Sequence, residues 1–256
     1  MNEAVMSRLE ELPGRIGLYY RNLATGEELS FHADEAFESA SVIKLPVYAA
    51  IEKLAAEGSV SWAETILCTD ADKVPSCGAL QFFPDGTKVD LRTLCALMIT
   101  ISDNTATNLL LRRFGIDFLN RQFRDLGLVR TRLERFLFDA AASAKGCENR
   151  FSPAEIGLLL QKIALGEFVS PQVSGDMLAL LKKQQIKHKL QGYLPRGTAV
   201  AHKTGEDAGI TNDVGIVYAP QPFVLCFASN GTDVPAAERF LRELSLELFR
   251  HCGGAG

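Results

Sequence analysis

No stretch of this chain is built to cross a membrane. The longest apolar run, Leu94 to Ile101, is far shorter than the roughly 20 residues that a transmembrane helix needs. A secretory leader is missing too, since residues 1–14 read MNEAVMSRLEELPG, polar and acidic with no apolar centre. As written the chain reads as cytoplasmic; a trimmed leader would make it periplasmic or extracellular. No CxxC pair occurs among the cysteines at 68, 77, 95, 147, 226 and 252, which removes the usual signature of zinc or redox chemistry. His32, His188, His202 and His251 have no metal-ligand spacing, so we expect no metal and no cofactor. Lys and Arg are scattered and the formal net charge is −4, which excludes a nucleic-acid surface. Repeats, low-complexity tracts and linkers are absent as well.

What is present suits a large ordered core. Of the 256 residues 47% are hydrophobic and 23% charged, the balance of one large domain or two intertwined ones. Cys95 and Cys226 sit in apolar runs and read as small buried hydrophobes. Without an export signal, free thiols are expected rather than disulfides.

Periodicity places the elements. Residues 2–12 have helical spacing, and Ile16 to Tyr20 and Leu29 to Phe31 form a hairpin around Ala24-Thr25-Gly26-Glu27. Ser41 to Ala56 is helical up to Gly58, and 91–113 is helical with a break near Ser102-Asp103. Helices follow at 117–126, 153–165 (with Pro153 in the first turn) and 174–186. The period then shortens: Val200 to Thr204, Asp213 to Tyr218 and Phe223 to Ser229 read as strands, before a closing helix from Val234 to His251. Strands at both chain ends and helices between predict an α/β protein of the α+β type. Its antiparallel sheet is built from both ends and flanked by helices, with an all-helical domain inserted. Residues 1–40 and 186–256 would form the α/β domain and 41–185 the helical one, with the active site between them.

Three short motifs carry the chemistry: Ser41-Val42-Ile43-Lys44, Ser102-Asp103-Asn104 and Lys203-Thr204-Gly205. Alone, each is common as a cap, turn or strand end. In this order, on a helix start, a helix junction and a strand, the set resembles the signature of class A β-lactamases and penicillin-binding proteins, the serine DD-peptidases. The segment Leu97 to Leu110 and the run His202 to Gly205 followed by Asn212 to Val217 strengthen the resemblance, which covers nearly the whole chain. Physically, a serine hydroxyl needs an adjacent base. Residues three apart on a helix share a face, so Lys44 can reach Ser41. Lys44 serves as a base only with a depressed pKa, which burial and the second cation, Lys203, would supply.

The resemblance implies further roles. Ser41, Lys44, Ser102 and Lys203 would be catalytic, with Ser102 passing a proton to the leaving nitrogen. Asn104, Thr204 and Gly205 would bind substrate, Asn104 also holding Lys44 and Thr204 meeting the substrate carboxylate with Lys203. The backbone N–H groups of Ser41 and Glu206 would form the oxyanion hole. The expected partner is a small molecule, a β-lactam or peptide-like amide, acting on a monomer.

The chain also departs from that pattern. Class A β-lactamases carry a glutamate after an Arg-Leu-acid-Arg-aromatic run, to activate the deacylating water. Here Arg132-Leu133-Glu134-Arg135-Phe136 is followed by Leu137, and Ala141 replaces the asparagine expected four positions on. Losing a general base costs about 10²–10⁴ in rate, so slow deacylation is expected. Glu134 and Asp139 read as surface loop residues. Asn149 stands where the loop's usual aspartate would pair with Arg135, predicting a looser loop. Asn212 replaces an arginine, and Glu206 a small or hydroxylated residue. Glu206 shares a strand face with Thr204, where it would either repel a β-lactam carboxylate or contact a cationic group; solvent exposure is the even alternative. His202 should face away from Lys203. Phe82-Phe83 are read as core rather than as a gate. Two other functions compete: an amide or ester hydrolase, glutaminase-like or biosynthetic, on the same scaffold, and a non-catalytic binding protein.

Overall fold

The computed structural model describes residues 2–255. Its centre is a five-stranded antiparallel sheet of β1 (Arg15–Asn22), β2 (Glu28–Phe31), β7 (Val200–Asp207), β8 (Ile210–Val217) and β9 (Phe223–Asn230), in the order β2-β1-β9-β8-β7. Strands from both chain ends thus pair directly, Leu18 opposite Phe227, and β7 is left as an edge. In the central strand β9, Phe223, Leu225 and Phe227 pack on one face against α1 (Asn2–Glu10) and α9 (Val234–His251). Val224, Cys226 and Ala228 pack on the other, in the core shared with the remaining helices. Two apolar sets at alternate positions let one strand close both cores.

The helical region contains α2 (Lys44–Ala56), α3 (Leu91–Thr100), α4 (Asn104–Phe114), α5 (Ile116–Asp125), α7 (Pro153–Ala164) and α8 (Pro171–Leu181). Helix α7 begins at the Ser152 cap with Pro153 in its first turn, as its sequence predicts. Three readings need correction. The helix expected from Ser41 starts as a tighter 3₁₀ turn, Ala40–Ile43, before α2. The helix read at 174–186 lies at Pro171–Leu181, because Ser170 accepts from the Val173 N–H and so caps an earlier start. Phe82 and Phe83 are not core: Phe82 is 80% exposed. Periodicity also missed the two-residue pair β3 (Phe37–Glu38) with β6 (Arg150–Phe151), the hairpin β4 (Thr65–Cys68) with β5 (Thr87–Asp90), and the short helix α6 (Ala140–Ser143). All six cysteines are free, with Cys95 and Cys226 buried.

Candidate active site

Ser41 lies partly exposed in its 3₁₀ turn. The preceding residue, Ala40, has φ +42°, a left-handed conformation that a non-glycine residue holds only where its surroundings impose it. Strand β7 is one such constraint. A Cβ on Gly205 would lie 2.8 Å from the Ser39 carbonyl oxygen and 3.3 Å from Ala40 Cβ. Glycine there lets the Lys203-Thr204-Gly205 strand lie against the Ser41 turn. Asn212 ties the same turn to β8 and β9: its Nδ2 donates to the carbonyls of Glu38 and Ser39, while its Oδ1 accepts from the Ser229 N–H. Fully buried, Asn212 is a brace.

Behind Ser41 sits a buried polar cluster. Lys44 Nζ donates to the Ser102 carbonyl at 2.8 Å, to Ser102 Oγ at 3.0 Å and to Asn104 Oδ1 at 2.8 Å. Lys203 Nζ donates to the same Ser102 Oγ at 3.2 Å and to the Thr204 carbonyl at 2.7 Å. One hydroxyl therefore bridges two lysines. Those three contacts use all three donors of a charged Lys44, and no hydrogen bond joins it to Ser41 among the described residues. Burial first, and Lys203 second, hold Lys44 well below the ordinary lysine pKa. A neutral Lys44 has a lone pair free to accept a proton. Burial also lowers Lys203, to about 7, with Asp213 pushing back.

The Ser-Asp-Asn junction divides its labour. Ser102 has φ +56°, which aims its hydroxyl between the lysines. Asp103 faces away, caps α4 by accepting from the Ala106 N–H, and accepts from the N–H groups of Ala79 and Leu80. Gly78 packs directly on that carboxylate, where a Cβ would meet Asp103 Cγ at 2.3 Å. The loop that carries Cys77 is thus fixed over the cleft, and the Asn104 N–H donates to the Cys77 carbonyl at 3.1 Å.

The cleft is a cavity of about 590 Å³ that Ser41, Cys77, Asn104, Leu137 and Glu206 help to line. Its far wall is the loop after Arg132. Asn108 grips the backbone of Leu137 from both sides, donating to its carbonyl and accepting from its N–H, each at 2.9 Å. The loop keeps an ion pair, with a different acid. Asn149 Oδ1 accepts from the N–H groups of Glu134 and Arg135, its Nδ2 donates to the Arg135 carbonyl, and the Arg135 guanidinium pairs instead with Glu148 at 2.7 Å. The ion pair has moved by one residue. Asp139 caps α6, and Glu134 accepts from the Glu148 N–H, so both act in the loop's own structure.

At the outer end of β7 lies a residue that sequence reasoning missed. Lys189 is fully buried, donates to the Gly205 carbonyl at 2.9 Å and pairs with Glu206 at 3.2 Å. Glu206 is not simply solvated, since His188 also approaches it, at 3.5 Å. No motif surrounds Lys189; a lone lysine in a polar loop reads as surface. His202 keeps away from the lysine cluster, its Nδ1 bonded to Asp213 at 3.0 Å. Burial opposes ionisation of Asp213, but His202 and Lys189 outweigh it and hold its pKa low.

A buried Lys-Ser-Lys cluster thus lies beside the Ser41 turn, on an antiparallel sheet packed with helices. The family model described as the "Beta-lactamase enzyme family" matches residues 2–252; the chain belongs to that family. It is similar to a beta-lactamase of Streptomyces cellulosae, 32% identical over 92% of this chain and 80% of the relative. Among solved structures, PBP-A is 30% identical with a TM-score of 0.89, covering 98% of this chain and 94% of its own. A Leu-to-Glu variant of PBP-A, solved as its acyl-enzyme complex with penicillin G, is 29% identical with a TM-score of 0.89, covering 98% and 95%.

Proposed function

We propose that this protein is a serine hydrolase acylated on Ser41 by β-lactams or D-Ala-D-Ala-like amides, and that its acyl-enzyme is long-lived. The observation that carries this is the Ser102 hydroxyl bridging Lys44 and Lys203 beside Ser41. Neutral Lys44 takes the Ser41 proton as the oxygen attacks the carbonyl. The backbone N–H groups of Ser41 and Glu206 receive the developing oxyanion. Ser102 delivers a proton to the leaving nitrogen and is restored from a lysine. Asn104 holds Lys44 and meets the substrate amide, with Thr204 and Gly205 on the facing strand. Deacylation needs an activated water, and Leu137 offers it no base. This reading treats residues 1–40 with 186–256, and residues 41–185, as the two bodies flanking the cleft.

Intact mass spectrometry after mixing with benzylpenicillin tests it, with Ser41→Ala as control. A persistent adduct absent from the control is the expected result. An adduct that vanishes within seconds while penicillin is consumed would make the protein an efficient β-lactamase. No adduct at all, with turnover of small amides or esters, would favour the second reading, an amide or ester hydrolase, which the carboxylate of Glu206 in the cleft already favours.

A further inference from the structure

The charges facing the cleft are unbalanced. Glu38, Asp139, Glu148, Glu206 and Asp207 line it, against Arg135 alone, and Arg135 is bound to Glu148. Of the other nearby cations, both fully buried, Lys44 has its three donors on Ser102 and Asn104, and Lys203 has two of its three on Ser102 Oγ and the Thr204 carbonyl. Lys189, with a fully buried side chain, touches the backbone of β7 and the carboxylate of Glu206, which is itself half-exposed. An anionic group entering at the outer end of β7 therefore meets the carboxylates of Glu206 and Asp207 first, with Lys189 buried behind Glu206 at 3.2 Å and His188 at 3.5 Å from the same carboxylate.

We propose that Glu206 serves as the protein's own counter-ion to Lys189, so that the cleft selects substrates that are amine-bearing at the β7 end and discriminates against those that carry a carboxylate there. Two like charges within about 4 Å near a protein surface repel strongly enough to change affinity tenfold or more. Lys189 is fully buried and holds the Gly205 carbonyl and the Glu206 carboxylate from behind the strand, so it does not face an entering anion. The backbone N–H of Glu206 remains available for the oxyanion while its side chain sorts substrates, so recognition and chemistry reside in one residue. This inference rests on the cleft being the substrate site proposed above.

The test uses two probes that differ only at one end: N-acetyl-D-alanyl-D-alanine and its 2-aminoethyl amide. Binding is measured by calorimetry to the Ser41→Ala protein, with and without Glu206→Gln. With Glu206 present, the amine-bearing probe should bind about tenfold more tightly, and Glu206→Gln should bring the ratio close to one. Equal or tighter binding of the carboxylate, a ratio that Glu206→Gln leaves unchanged, or binding of neither probe would overturn the proposal. Acylation of the Ser41 protein by benzylpenicillin and its 2-aminoethyl amide is followed in parallel. If neither labels Ser41, the acyl-serine reading fails, while the binding ratio still decides the role of Glu206.

Discussion

On the inner wall of the cleft, the groups proposed to react are also scaffold: Lys44, Ser102, Asn104 and Lys203 are buried, hydrogen-bonded to one another, and close behind the Ser41 turn. The outer wall is held just as firmly. Asn108 clamps Leu137, Asn149 gathers three backbone groups, and Arg135 pairs with Glu148. Yet what this scaffold presents to the cavity at 137 is an aliphatic side chain. Positioning and reactivity are therefore separable: the outer loop keeps the first without the second. The inner wall cannot do so, because a buried lysine with an unmet donor costs more than the loop's leucine does.

The largest effect should come from breaking the inner wall. Lys44→Met keeps the length and removes the base, and acylation should fall by about 10²–10⁴, read from the rate of adduct formation. The change leaves the Ser102 carbonyl and Asn104 Oδ1 without their donor, which should cost about 1–3 kcal/mol of stability, so folding is checked by circular dichroism alongside the rate. Unchanged acylation in a folded Lys44→Met protein would show that another group removes the Ser41 proton.

The complementary change adds reactivity to the outer wall. Leu137→Glu should shorten the acyl-enzyme lifetime by about 100-fold, with acylation little altered, measured as decay of the penicillin adduct. If the lifetime is unchanged, the backbone clamp by Asn108 does not suffice to aim a base, and Ala141→Asn becomes the next addition.

The two walls also differ in how far the sequence announced them. That the three motifs meet, Lys44 and Lys203 on Ser102 at the cleft that Ser41 lines, was legible from their order and spacing, and the sheet from its short apolar runs at both chain ends. Lys189 was not legible: its burial depends on the Gly205 carbonyl and Glu206, which only the fold brings near. Nor was the Arg135–Glu148 pair, since a guanidinium reaches several neighbours and position in sequence does not say which. Phe82 and Phe83 failed for the opposite reason, as apolar side chains left outside. The strands β3 and β6, two residues each, are too short to show a period.

A pH profile sharpens the inner wall further. Lys203 loses its charge as pH rises through about 7, whereas Lys44, pushed down by burial and by Lys203, must be neutral to act. Acylation should rise as Lys44 deprotonates and fall above about 7, a bell that Lys203→Arg would extend to higher pH. Stability moves differently. Between about 7 and the unfolded lysine value of about 10.4 the unfolded chain binds the proton that folded Lys203 has released, so stability rises with pH across that window. A flat Tm from pH 7 to 9, without opposing titrations, would contradict this.

The smallest effect separates the two ways of tying the outer loop. Glu148→Gln removes the charge that Arg135 faces and should cost about 1 kcal/mol, a fall of about 2–4 °C in Tm, because the pair is only partly screened. Asn149→Asp would restore the acid that the family resemblance expects, and by that resemblance alone it should stabilise. The geometry argues the reverse. Asn149 Nδ2 donates to the Arg135 carbonyl at 3.1 Å, and an aspartate would set an oxygen against that carbonyl while Glu148 already occupies the guanidinium. Asn149→Asp should therefore lower Tm slightly in the native background and raise it only in combination with Glu148→Gln, when Arg135 is free to turn back. That non-additivity, measured as a double-mutant cycle in Tm, distinguishes an ion pair that has moved by one residue from one that was lost.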